Sequence, residues 1–185
     1  MQQVAIFLYR AIGAGVAIAL MEVLARAAEE PLSRVPFVTS IVLVMALPEA
    51  EPARSYNVVG GHMLSCLAGL IAVWILGAGD TACAVALGLA VFLMLVTGSL
   101  HPPAGINAFL VAAYDLPLAW VISPVLVGSV FLVGYKRLWV LGEYRLREFE
   151  LFQKLPTKPD LGPPKLDAAT LMRWRAHWPY NRSDG

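Results

Sequence analysis

Thr97-Gly98-Ser99-Leu100-His101-Pro102-Pro103-Ala104-Gly105-Ile106-Asn107 is a polar, helix-breaking stretch set between two apolar runs. The surrounding chain is 58% hydrophobic and only 15% charged over 185 residues. That balance lies outside the range of soluble domains and marks an integral membrane protein. Backbone that leaves the helix at membrane depth has N–H and C=O groups to satisfy, and is tolerated only where protein or a wet cavity receives them. The break therefore predicts a polar pocket inside the bilayer.

Working outward, four apolar runs have the length needed to cross about 30 Å of hydrocarbon as helix. They are 4–25, 57–76, 81–99 and 118–141. Two further runs are too short to cross comfortably: Pro36 to Leu47, closed by Pro48, and Pro103 to Ala113, closed by Tyr114-Asp115-Leu116-Pro117. The expected fold is an all-α membrane protein with four full transmembrane helices and two short half-helices. In order, the segments run long, short, long, then long, short, long. Pro36-Phe37-Val38-Thr39-Ser40-Ile41 and Pro103-Ala104-Gly105-Ile106-Asn107-Ala108 occupy the same place in each half. This pattern suggests a three-plus-three repeat, inverted in the manner of many transporters.

Ten of the fourteen Lys and Arg residues fall between Lys136 and Arg182. The transmembrane domain is accordingly expected over 1–141, and an amphipathic, basic C-terminal tail over 142–185. By the positive-inside rule the tail is cytoplasmic, and an even number of crossings puts the N-terminus there too. Arg10 interrupts the first apolar run, which argues against a cleaved signal peptide. Cys66 and Cys83 lie in apolar segments and read as packing residues rather than a disulfide.

Proline suits a first helical turn, where its missing N–H would have had no partner. Both short segments thus read as helices that begin inside the membrane. Their positive ends would converge on a small anion, with Thr39, Ser40 and Asn107 adding hydroxyl and amide donors. The alternative is that each proline only kinks a helix for packing. His101 sits at the break and His62 near the start of the second long run, after Asn57 and the Gly60-Gly61 pair. Ionisable groups at membrane depth are functional by default, and histidine titrates near physiological pH. Either ring would hold an anion or relay its proton; the alternative is a neutral ring capping backbone carbonyls. No Asp or Glu stands beside either histidine at ligand spacing, and Cys66 reads as a packing residue, so no metal is expected, nor any other cofactor. Asn57 is a candidate helix cap. Small residues recur every four positions at Gly61, Ser65 and Gly69, and at Ala11, Gly15 and Ala19, a pattern for close helix packing.

Three blocks carry a family resemblance: Pro36-Phe37-Val38-Thr39-Ser40, Asn57-Val58-Val59-Gly60-Gly61-His62, and Thr97 to Gly105 with its His101-Pro102-Pro103. Through them the chain resembles bacterial members of the HPP family of small integral membrane proteins. The resemblance implies a helical membrane protein, with nitrite transport assigned to chloroplast and cyanobacterial relatives. Val38-Thr39-Ser40 and Ala104-Gly105-Ile106-Asn107 depart from the frequent Gly-Ala-Ser and Ala-Gly-Ala-Thr of that family, both near the expected solute position.

The expected function is membrane transport of a small anion, nitrite first, with a coupled proton. The expected binding residues are His101, Pro102, Pro103, Gly105, Asn107, Thr39, Ser40, His62 and Asn57. A membrane anchor or sensor whose tail recruits a partner is the alternative. No nucleotide loop, nucleophile elbow or zinc-peptidase pattern is present, so neither enzyme chemistry nor nucleic acid is expected. The bilayer is the expected environment, specifically a bacterial inner membrane, and the small-residue faces suggest a homo-oligomer, a dimer first.

Overall fold

A computed structural model describes residues 2–27 and 35–148, and the structural statements below concern these residues. They form a helical bundle: α1 (Gln2–Ala27), α2 (Val35–Ala46), α3 (Ser55–Leu76), α4 (Asp80–Val96), α5 (Gly105–Tyr114), the single turn α6 (Leu118–Trp120) and α7 (Val127–Glu148). Short tight turns at Glu51–Ala53 and Pro102–Ala104 precede α3 and α5. Three stretches are long and apolar enough to cross a membrane: Val4–Arg26, Ser55–Leu76 and Leu118–Leu146. At 1.5 Å per residue, α4 reaches about 26 Å, α2 about 18 Å and α5 about 15 Å.

The expected third run ends early. α4 stops at Val96, Thr97 closes it, and Gly98 takes φ 65°, a conformation that suits a residue without Cβ. The chain then stays non-helical to His101 before Pro102 and Pro103 start the turn into α5.

The expected fourth run is also interrupted, which its apolar composition alone did not reveal. Ser123 leaves helical geometry at φ −130°, ψ 118°, directly before Pro124. Proline has no N–H for the helical ladder and disfavours helix in the residue before it, so Ser123-Pro124 was the available signal. Beyond the break α7 continues to Glu148, past the expected boundary at Leu141. The amphipathic and basic tail expected beyond that helix lies outside the described residues.

Two apolar groups build the bundle. α1, α2 and α7 bury Ala17, Met21, Phe37, Ile41, Val44 and Leu132 together. α3, α4 and α5 meet over an alanine-rich seam including Ala68, Ala72, Ala86, Ala90, Ala108 and Ala112. Small side chains let these three backbones approach closely. A Cβ added to Gly69 would stand 2.7 Å from the Val111 Cβ and 3.0 Å from the Ala108 carbonyl oxygen. On α1 the buried stripe is Gly13, Ala17 and Met21, whereas the small-residue face Ala11, Gly15 and Ala19 is exposed.

Contacts show which ends lie together. Arg10, near the start of α1, donates to both carboxylate oxygens of Glu143, near the end of α7, at 3.0 Å each. It also donates to the Ala46 carbonyl at the end of α2. Arg137 of α7 reaches the Ser55 hydroxyl at the start of α3, and Tyr56 reaches the Thr97 carbonyl at the end of α4. At the other end the Gly79 N–H donates to the Ala112 carbonyl, joining the start of α4 to the end of α5.

Candidate functional site

Four fully buried polar side chains from four separate segments meet in one hydrogen-bonded cluster: Ser40, His62, His101 and Asn107. The Ser40 hydroxyl lies 3.0 Å from His62 Nε2 and 2.9 Å from His101 Nε2. Asn107 Nδ2 stands 2.6 Å from His62 Nδ1. His101 Nδ1 donates to the Pro52 carbonyl at 2.7 Å. The two imidazole rings are 5.3 Å apart between centroids, and the Phe37 ring closes over His62 at 5.0 Å.

Each segment reaches this point for a local reason. Pro36 sets the beginning of α2, and Ser40 follows one turn later. On α3, Gly61 lets the break come close, since an added Cβ there would stand 2.7 Å from the His101 Cβ. His62 is the next residue and points into the seam. Pro102-Pro103 end the extended stretch and start the turn that carries Asn107 on the first turns of α5.

The remaining sequence candidates take other places. Thr39 is exposed and stands outside the cluster. Asn57 is buried, but its amide donates to the Leu100 carbonyl at 3.1 Å, tying α3 to the break instead of capping its own helix. Gly105 is buried and faces Leu87, Pro102 is exposed and Pro103 half-buried. Sequence reasoning missed Pro52 and Phe37. A backbone carbonyl acceptor leaves no side-chain signature. Ser99, also buried, pairs with the Thr97 hydroxyl at 2.7 Å and belongs to the break's own bonding.

No carboxylate enters the cluster, and among the described residues no group of three or more His, Cys, Asp or Glu is assembled for a metal ion. A buried polar group is stable when bonded and costly when not. The cluster is thus a polar seam through an apolar bundle, made of groups able to donate, accept and exchange protons.

The fold and this buried seam define a polytopic helical membrane protein. Residues 1–140 match the family described as HPP, transmembrane region, and the chain belongs to that family. It is 30% identical over 106 residues to a transmembrane protein of Dictyostelium discoideum, an overlap of 52% of this chain and 37% of the relative. A second Dictyostelium discoideum transmembrane protein is 36% identical over 78 residues, covering 40% of this chain and 25% of the relative. The matched part of this chain thus spans well under half the length of these curated relatives. No solved structure matches the chain.

Proposed function

We propose that this protein is a transporter of a small anion, nitrite first, and that the His62–Ser40–His101–Asn107 cluster is its solute site. The observation that carries a transport role is the burial of four linked polar side chains between α2, α3, α5 and the break. A bundle gains little stability from such groups over well-packed apolar ones, so their presence at membrane depth favours function. Ser40 and Asn107 lie within the first two turns of α2 and α5, and the positive beginnings of helices favour the electron-rich part of a solute. The HPP family membership and the resemblance to nitrite-transporting relatives favour nitrite over other ions of that size.

The crossings follow from this role: α1, α3, α4 and the α6–α7 stretch serve as four full spans, with α2 and α5 as short members of two inverted three-segment halves. Both ends of 1–141 face the cytoplasm of a bacterial inner membrane, with 142–185 as a tail on that side. The chain works without catalysis or cofactor. The outward Ala11, Gly15 and Ala19 face of α1 would let two copies pack as a dimer.

Purified protein in vesicles should take up nitrite faster than empty vesicles, and His101→Ala should abolish most of the difference. Equal uptake by protein, variant and empty vesicles would reject the proposal.

A further inference from the structure

The hydrogen bonds of the cluster have a direction. The Pro52 carbonyl can only accept, so His101 Nδ1 carries a proton. With a neutral ring, His101 Nε2 is then bare and accepts the single Ser40 proton at 2.9 Å, a shorter bond than the 3.4 Å to the Pro36 carbonyl. Toward His62 the Ser40 oxygen can therefore only accept, which puts a proton on His62 Nε2. His62 Nδ1 is left bare and accepts from the Asn107 amide. Every ring nitrogen is satisfied with both imidazoles neutral. One atom is left over: the fully buried Asn107 Oδ1 has no partner.

That remainder is an acceptor, whereas an anion requires donors. The one donor of the four side chains not spent on these links is the second N–H of the Asn107 amide, and no ionised group in the cluster offsets a buried negative charge. Outside it, the half-buried Lys136 of α7 donates to the Ala53 carbonyl at 2.7 Å, one residue from Pro52, and the exposed Arg54 and Glu51 face each other at 3.9 Å; none of the three bonds to the cluster. α2, α3 and α5 contain no Asp, Glu, Lys or Arg.

We infer that the site takes its solute as a small uncharged weak acid, with the proton still on and its hydroxyl donating to Asn107 Oδ1. This inference rests on the transport role proposed above and narrows its substrate class. Monoprotic weak acids of the size of nitrous or formic acid fit the requirement. Nitrate, the anion of a strong acid, does not. Net movement is one anion with one proton and no charge, so no proton needs to leave the solute within the site.

Full-length protein in vesicles holding an internal pH dye tests it, with nitrite, formate or nitrate outside and the membrane potential clamped. Nitrite and formate uptake above the empty-vesicle rate should acidify the interior one proton per anion. It should ignore a potential that would change the accumulation of a singly charged ion about 50-fold. Uptake that follows the potential, or nitrate uptake equal to nitrite uptake, would overturn the inference and leave the transport proposal standing. No uptake of any probe would overturn transport itself. Nitrogen NMR of the histidines then gives an independent reading of the cluster. The protons are expected on His101 Nδ1 and His62 Nε2; a proton on His62 Nδ1 would turn Asn107 Oδ1 toward that ring and remove the free acceptor.

Discussion

Ser40 bridges two histidines with a single hydroxyl, so its loss is felt twice. Ser40→Ala leaves His62 Nε2 and His101 Nε2 buried without a partner, each at about 1–3 kcal/mol. Thermal unfolding in detergent should show a loss of about 2–6 kcal/mol. Thr39→Ala, at the exposed neighbour, should stay within about 0.5 kcal/mol of the parent. Equal melting of the two variants would show that the bridge contributes nothing to stability. The sequence made both hydroxyls candidates because each follows Pro36 closely. Only the helical turn separates them, and the 100° between adjacent positions turns one inward and the other outward.

At the scale of elements, close approach decides which glycines matter. Gly69→Val should lower stability by about 1–3 kcal/mol, because its new atoms meet Val111 and the Ala108 backbone, which cannot move without shifting α5. Gly88 on α4 has open space around it, so Gly88→Ala should be neutral or raise stability by up to about 1 kcal/mol through helix propensity. A Gly69→Val protein that melts with the parent would contradict the packing of α3 on α5. The four-residue spacing of Gly61, Ser65 and Gly69 was legible as a packing face, and α5 with the break supplies its partner. On α1 the same spacing lies on the outward face. Ala11, Gly15 and Ala19 and the buried Gly13, Ala17 and Met21 stripe are both apolar, and in a membrane helix hydrophobicity does not tell the lipid face from the protein face. The bend at Ser123-Pro124 was legible in principle, but twenty-odd apolar residues read as one uninterrupted run.

For the whole molecule, the pairing of Arg10 with Glu143 brings the start of α1 beside the end of α7. Cysteines introduced at Gln2 and Glu148 should therefore react with a membrane-impermeant maleimide from the same face. One at Ala78, in the turn between α3 and α4, should react from the opposite face. Labelling of positions 2 and 148 from different sides would contradict this arrangement. The native Cys66 and Cys83 are buried and give little background. Membrane class, the break and the paired histidines were all readable along the chain, since composition and helix breakers are local signals. The union of His62 with His101 through Ser40 was not, because it joins residues 22 and 61 positions apart across three packed segments.

The most direct test of the buried cluster as a solute site is an experimental structure of the protein in lipid, determined with nitrite. Density is expected for a bent three-atom solute within about 3 Å of Asn107 Oδ1 and beside His62 and Ser40. An unchanged cluster with nitrite bound elsewhere along the bundle would contradict it.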